Sequence, residues 1–192
     1  MPTDTPALLW VDIETTGLIP RESQILELGL RVTDAYLTTL SEASWVVKFE
    51  RSGLSNLSDF ILRMHTKNGL IFECMESSMT IAEVEDAALR WAYSRVPHPV
   101  PMAGSTVGFD RSFLREHVFA VDQLAHYRSF DVSTIKLAAR LWTPDIPLFE
   151  GRETHRVLPD IEDSVQELRY YIGEHIVRGW PYSDIQKCEP HA

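Results

Sequence analysis

The segment Leu8-Leu9-Trp10-Val11-Asp12-Ile13-Glu14 is almost continuously apolar, except for two carboxylates near its end. A run of this length and composition is typical of a buried strand. The residues Thr15-Thr16-Gly17 provide a turn after it. Two further runs of strand length follow at residues 24–33 and 44–49, joined by short polar links. We therefore expect the fold to begin with an antiparallel meander of three strands.

The periodicity changes from strand to helix in the second half of the chain. Thr80 and Glu83 form a capping-box pattern, and an apolar stripe follows them at helical spacing. Ser133 is placed to act as the N-cap of a later helix, and Pro159 suits the first turn of the last one. The predicted elements are a helix over residues 80–96, a strand over 102–104, a helix over about 110–118, a strand over 130–132, a helix to about 142 and a final helix from near 159. This order predicts an α/β fold with a mixed sheet covered by helices.

Composition and charge exclude several classes of protein. The 192 residues are 44% hydrophobic and 24% charged, which suits one globular domain, expected over residues 1–178, with a poorly ordered tail over 179–192. The formal net charge of −10 argues against binding to long duplex nucleic acid or to an anionic membrane. Cys74 and Cys188 fit neither a zinc motif nor a disulfide framework, and no signal peptide is visible. A cytoplasmic location is expected.

The carboxylates Asp12 and Glu14 interrupt the strand that is otherwise the most apolar. Residues two apart on a strand point to the same face, so the two groups repel each other unless a cation lies between them. Mg²⁺ and Mn²⁺ prefer oxygen ligands of this kind. The alternative is that both residues only end the strand and accept hydrogen bonds from the turn amides of residues 15–17.

Two further clusters offer acidic or basic groups at helix starts. Asp110 lies after a short strand, near the beginning of a helix, where it could be a metal ligand or simply an N-cap. His155 and Asp160 flank the start of the last helix and could provide a proton acceptor near neutral pH and a metal ligand. Alternatively, His155 is a surface loop residue and Asp160 an ordinary acid in a first helical turn.

Taken together, D-x-E on the first strand, an aspartate at a middle helix and H-x4-D at the last helix resemble the three motifs of the DEDDh, or DnaQ-like, 3′→5′ exonucleases. The resemblance extends from residue 8 to about residue 172. It implies an RNase H-like fold with a mixed five-stranded sheet and a metal-dependent hydrolase. It also implies that four carboxylates bind two divalent cations, Mg²⁺ or Mn²⁺, and that His155 accepts a proton from the attacking water. The four carboxylates are those of Asp12, Glu14, Asp110 and Asp160.

Within that superfamily, the stretches 10–18, 63–70, 126–134 and 155–160 resemble the oligoribonucleases. This resemblance implies a homodimer that degrades short single-stranded RNA, down to dinucleotides, to nucleoside 5′-monophosphates. Tyr127 and Arg128 would reach the active site of the neighbouring protomer. The substrate-binding residues implied by the resemblance are Leu18, Phe60, His65, Thr106, Tyr127, Arg128 and Ser133.

Other interpretations of these residues and of the whole chain stay open. Leu18 could be turn packing, His65 a cation at a helix C-terminus, Tyr127 a core aromatic and Ser133 only an N-cap. The stretch 12–17 lacks a methionine common in oligoribonucleases, which favours a DNA-directed proofreading exonuclease as the first alternative. A catalytically silent nucleic-acid-binding module is the second, although none of the five motif residues is missing.

Overall fold

A computed structural model describes residues 5–142, 147–152 and 154–173 of the chain. Five strands form one mixed sheet in the order β3-β2-β1-β4-β5. β1 is antiparallel to β2 and parallel to β4, so the meander and the later strands meet at β1. The predicted mixed sheet is confirmed. The strands are β1 (Leu8–Thr15), β2 (Ile25–Thr33), β3 (Thr39–Val46), β4 (Met102–Gly104) and β5 (Phe130–Asp131).

The third strand lies earlier in the chain than the sequence predicts. We expected residues 44–49, whereas β3 runs from Thr39 to Val46 and pairs with β2. β3 is an edge strand with several exposed polar side chains, and Arg31 on β2 binds Glu42 on it. Apolar content therefore pointed to the wrong residues, because an edge strand needs few apolar side chains.

In the described part of the chain, seven α-helices accompany the sheet. α3 begins after the capping box of Thr80 and Glu83, as predicted, and ends at Tyr93. The helices before it, between residues 59 and 76, were not predicted. The helices are α1 (Asp59–Lys67), α2 (Leu70–Glu76), α3 (Ile81–Tyr93), α4 (Val107–His117), α5 (Phe119–Asp122), α6 (Val132–Trp142) and α7 (Val157–Tyr171).

Two predicted helix starts are wrong. α4 begins at Val107, after Thr106 in a left-handed conformation with φ 58°, so Asp110 lies in the first turn and is not the N-cap. α6 begins at Val132, so Ser133 is its second residue. The group that caps α6 is Asp131, whose carboxylate accepts a hydrogen bond from the Ser133 backbone N–H at 2.9 Å.

The two faces of the sheet bury different helices. Leu9 and Val11 on β1 belong to a core cluster that includes residues of α3 and α4. Trp10 belongs to a second cluster, with Ile161 and Val165 of α7. Because successive side chains of a strand alternate between faces, Asp12 and Glu14 project on the same side as Trp10, toward α7.

Gly29 lets the start of α7 lie close to the sheet. It pairs with Asp12 across β1 and β2. A Cβ atom at Gly29 would lie 2.6 Å from the Cβ of Val157, the first residue of α7. The missing side chain therefore allows the last helix to begin next to the carboxylates of the first strand.

The predicted tail over residues 179–192 falls outside the described residues, as do residues 143–146 and 153 between the last two predicted helices. Among the residues that the structure describes, no helix is long and apolar enough to cross a membrane.

Candidate active site

The two carboxylates of β1 lie at the end of the sheet, close to two further acids. Glu14 is buried, and Asp12 is half-buried. Asp110 is also buried, in the first turn of α4. Asp160 lies half-buried in the first turn of α7, where it accepts a hydrogen bond from the Thr154 hydroxyl at 2.6 Å. The fold thus brings together four acids that lie far apart in sequence.

His155 joins this group from the loop before α7. Glu14, His155 and Asp160 each offer one ligand atom, and the three atoms lie within 4.8 Å of one another. His155 has a φ of 52°, a left-handed conformation that is uncommon for a residue other than glycine. The structure therefore places the predicted proton acceptor beside two of the predicted metal ligands.

Burial is the main cause that disfavours ionisation of these carboxylates, and nearby negative charges add to it. Burial, with the nearby charges of Asp110 and Glu14, raises the pKa of Asp12 well above its usual range. Burial, with the charge of Asp160, raises the pKa of Glu14 to about 8. Burial also raises the pKa of Asp110 to about 8 and that of Asp160 above its usual range. An all-oxygen set of acids with so little positive charge among them suits a hard divalent cation.

A fifth acid, Glu27, was missed in the sequence. It lies opposite Glu14 in the β1–β2 register and is almost fully buried. The guanidinium of Arg156 binds it at 2.9 and 3.1 Å and also binds Glu73 on α2 at 2.8 Å. A charged residue inside the otherwise apolar strand over residues 25–33 was the available signal.

His65 is not the exposed helix cation that one interpretation suggested. It lies in the last turn of α1 but is fully buried, with Nε2 3.7 Å from Oε2 of Glu14. Neither ring nitrogen has a hydrogen-bond partner among the described residues. Burial lowers the pKa of His65, so the neutral ring is favoured. A buried imidazole with unused polar atoms beside Glu14 suits contact with a ligand.

Two predicted substrate-binding residues line a groove beside Glu14. The groove measures about 570 Å³ and is lined by Glu14, Leu18 and Phe60, among others. Leu18 is 79% exposed and Phe60 is 65% exposed. Leu18 is therefore not buried turn packing, and both side chains are free to contact a planar ring. A second cavity of about 560 Å³ lies on the other side of the acids, lined by Asp12, Asp160 and Lys136.

Thr106 and Ser133 meet where α4 and α6 begin. Their hydroxyl oxygens lie 3.0 Å apart. Oδ1 of Asp131 accepts hydrogen bonds from the backbone N–H groups of both residues, at 3.0 and 2.9 Å. Two hydroxyls at two helix N-termini can bind a phosphate group, so Ser133 can serve this role although it is not the N-cap.

Tyr127 and Arg128 lie apart from the other predicted residues. Tyr127 is 73% exposed, which excludes a core role, and the Arg128 guanidinium lies 4.9 Å from the centre of its ring. In the described part of the chain, neither residue lines the cavities beside the acids.

Comparisons with known proteins show the family of this chain. The RNase T exonuclease family model matches residues 9–168. The oligoribonuclease of Corynebacterium glutamicum is 40% identical over 85% of this chain and 77% of its own. The oligoribonuclease of Nitrosomonas europaea is 39% identical over 89% of this chain and 96% of its own length. The oligoribonuclease of Salmonella typhimurium is 36% identical over 93% of this chain and 99% of its own length.

Solved structures give the same fold. Exonuclease I of Methylocaldum szegediense has a TM-score of 0.69 at 15% identity, covering 88% of this chain. A zinc-bound complex of E. coli exonuclease I with single-stranded DNA has a TM-score of 0.65 at 13% identity, covering 85%. This chain spans about two fifths of the length of these enzymes, which at such identity share its fold alone. The family model and the curated relatives show that the chain belongs to the RNase T exonuclease family and, within it, to the oligoribonucleases.

Proposed function

We propose that the protein is a 3′→5′ exoribonuclease that hydrolyses short oligoribonucleotides, down to dinucleotides, to nucleoside 5′-monophosphates. The observation that carries the proposal is the convergence of Glu14, His155 and Asp160 within 4.8 Å, next to Asp12 and Asp110. The names of the curated relatives support RNA as the substrate.

We propose that the acids bind two divalent cations, Mg²⁺ or Mn²⁺. Asp12, Glu14, Asp110 and Asp160 would hold them, because these carboxylates otherwise share buried space without enough positive charge. When bound, such cations make a water more acidic and stabilise the charge on the leaving oxygen.

The residues of the chain direct the hydrolysis of the last phosphodiester bond. An imidazole nitrogen of His155 accepts a proton from the attacking water, whose oxygen bonds to phosphorus. The bond from phosphorus to the 3′ oxygen of the preceding nucleotide breaks, and that oxygen takes up a proton. The phosphate stays on the 5′ oxygen of the released nucleotide, so the product is a nucleoside 5′-monophosphate.

The grooves beside the acids suit a short substrate. Leu18 and Phe60 would pack against the terminal base, while His65 would contact the terminal nucleotide next to Glu14. Thr106 and Ser133 would bind the phosphate at the other end of a dinucleotide. A substrate of this size needs few cationic contacts, which fits a chain with a formal net charge of −10.

The experiment that tests this function follows cleavage of 5′-labelled RNA of two to about twenty nucleotides beside matching DNA, with Mn²⁺ or with EDTA. We expect the shortest RNA to be cleaved fastest, with loss of activity in EDTA and in Asp12→Ala. Faster cleavage of the longer DNA would favour a DNA-directed exonuclease. If neither RNA nor DNA is cleaved in a metal-dependent way, the remaining hypothesis is a catalytically silent module that binds nucleic acid.

We also propose that the protein acts as a homodimer. The last two turns of α6 expose the apolar side chains of Leu137, Leu141 and Trp142, the last of them 78% exposed. A second copy of the chain would cover this face. Tyr127 and Arg128, which lie apart from the acids of their own chain, would then act in the partner's site.

A mixing experiment tests the dimer. Tyr127→Ala and Asp12→Ala chains should each be nearly inactive, and a mixture that exchanges subunits should regain activity, because one site in each mixed dimer is complete. Leu141→Glu should give a monomer in sedimentation equilibrium. A mixture that stays inactive while subunits exchange would contradict an action of Tyr127 across the interface.

We further propose that residues 1–178 act as one exonuclease domain in the cytoplasm. One sheet with its covering helices supports the single domain. The buried free thiol of Cys74 fits a reducing compartment. A chain ending at residue 178 should keep its activity on dinucleotides.

A further inference from the structure

We infer that Asn68 is a positioning residue for His155, a role that rests on the proposed function of His155 as proton acceptor. Asn68 follows the last residue of α1 and is half-buried. Its Nδ2 donates hydrogen bonds to the backbone carbonyl oxygens of Thr154, at 3.2 Å, and of His155, at 2.5 Å. One side chain therefore binds the carbonyl groups of the two peptide units that flank the Cα atom of His155.

The backbone of His155 needs such support. Its φ of 52° is a left-handed conformation, which is unfavourable for a residue other than glycine. This conformation persists only when neighbouring contacts hold it. The amide of Asn68 holds the carbonyl groups of the peptide units before and after the His155 Cα atom, and the orientation of these two units fixes the direction in which the ring projects.

The orientation of the Asn68 amide is itself determined. Its Oδ1 accepts a hydrogen bond from the backbone N–H of Leu70 at 3.1 Å, so Nδ2 must face the loop. The reversed amide would place Oδ1 against two carbonyl oxygens and Nδ2 against an N–H group, losing every one of these bonds. Asn68 thus provides a donor and an acceptor in a fixed arrangement that no other residue of its size offers.

The loop is anchored on both sides of His155. Arg156 binds Glu27 on β2 and Glu73 on α2, which fixes the chain after His155. The backbone N–H and the guanidinium of Arg152 bind Asp163 at 2.6 and 2.7 Å, which fixes the chain before it. Between these two anchors, Asn68 is the side chain that contacts the backbone of His155 itself among the described residues.

The position of Asn68 also connects the two histidines of the site. His65, beside Glu14, lies one turn before Asn68 at the end of α1. Asn68 therefore holds the His155 loop against the same helix that presents His65. Asn68 does not line the groove that contains Leu18 and Phe60, although it lines a neighbouring cavity with Phe60 and His155. A change at Asn68 should therefore alter the alignment of His155 with little effect on the part of the groove beside Leu18.

The test compares Asn68→Asp and Asn68→Ala with the wild-type protein. Asn68→Asp keeps the shape and the acceptor for Leu70 but loses the donor, whereas Asn68→Ala loses both. We expect kcat on a dinucleotide to fall about 10- to 100-fold in both variants, because a small misplacement of a reacting group is costly. KM should stay within about threefold, because substrate binding in the ground state is little affected.

Two controls separate positioning from loss of stability. Thr80→Ala removes the capping box of α3, distant from the site, and should lower the urea concentration at the midpoint of unfolding with kcat unchanged. In a His155→Ala background, Asn68→Asp should lower kcat by less than about threefold, because two residues that act as one unit are not additive. Equal losses in both backgrounds would overturn the proposal.

A crystal structure of Asn68→Asp gives a readout that does not depend on activity. We expect the φ of His155 to leave the left-handed region. An unchanged backbone at His155 would show that Asn68 does not hold it, whatever the substrate. If instead His155→Ala alone keeps the wild-type kcat, the proposed role of His155 is wrong, while the crystal structure still decides whether Asn68 holds the loop.

Discussion

Glu14 and Glu27 face each other across β1 and β2, and among the described residues the Arg156 guanidinium forms an ion pair with Glu27 and none with Glu14. The two buried carboxylates therefore have different surroundings: Glu27 lies beside a guanidinium, and Glu14 lies beside other acids. Glu27 is neutralised permanently by the protein, whereas Glu14 is left for the cations that the proposed function requires. The same Arg156 follows His155 directly, so the neutralised acid also anchors the loop of the site.

Replacement of Arg156 by methionine should destabilise the protein. Glu27 is 3% exposed and would be left as an unpaired buried charge, at a cost of about 3 kcal/mol in the free energy of unfolding. Urea denaturation measures this loss. The double variant Glu27→Gln with Arg156→Met should recover much of it, and a double variant no more stable than Arg156→Met would contradict the explanation.

Stability of the metal-free protein should fall as the pH rises. Glu14 and Asp110 have pKa values of about 8 in the folded chain, against about 4 in an unfolded one. Since the folded values are the higher ones, the stabilising contribution is complete below about pH 4 and is lost as the pH approaches about 8. Melting temperatures in EDTA between roughly pH 5 and pH 8 should show this decline.

Two further measurements check the origin of that decline. Mg²⁺ or Mn²⁺ at pH 8 should raise the melting temperature, because the cations bind the folded state and not the unfolded one. Asp110→Asn removes one of the titrating groups and should flatten the decline in EDTA. A pH profile identical to the wild type in this variant would exclude Asp110 as a cause.

Truncation of Phe60 should weaken substrate binding. Loss of stacking on one base costs about 1 to 3 kcal/mol, so we expect Phe60→Ala to raise KM for a dinucleotide about tenfold. Phe60→Trp keeps the stacking area and should leave KM near the wild-type value. Phe72→Ala, at an exposed phenylalanine on α2, is the matched control, and an equal rise in KM there would argue against stacking at Phe60.

Asp131→Ala should weaken both the start of α6 and the contact with phosphate. Its carboxylate accepts the backbone N–H groups of Thr106 and Ser133, and loss of a capping group costs about 1 kcal/mol. KM should rise more for a 5′-phosphorylated dinucleotide than for one without this phosphate. Asp131→Asn keeps an acceptor oxygen. Its free energy of unfolding and its KM for the 5′-phosphorylated dinucleotide should therefore lie closer to the wild-type values.

The sequence predicted those features that depend on local periodicity. The alternation of side chains along β1 was enough to place Asp12 and Glu14 on one face, and the capping box was enough to place the start of α3. The order and spacing of the motifs predicted that Asp110 and Asp160 are metal ligands and that His155 is a proton acceptor. The structure places these three residues close to Asp12 or Glu14.

Features that depend on distant contacts were not predictable in this way. Thr106 begins α4 in a left-handed conformation while its N–H binds Asp131, 25 residues later. Nothing local indicates this contact, so the helix start was placed too late. The contact of Asn68 with the His155 backbone spans 87 residues and is likewise invisible in the pattern.

The site is built from both ends of the folded chain. Asp12 and Glu14 lie on the first strand, whereas His155 and Asp160 belong to the segment that begins the last helix. During synthesis, a chain that has emerged only as far as α6 carries Asp12, Glu14 and Asp110 but lacks His155 and Asp160. If the site acts as proposed, such a nascent chain should not cleave RNA near the ribosome, and activity should begin only when α7 has docked over Gly29.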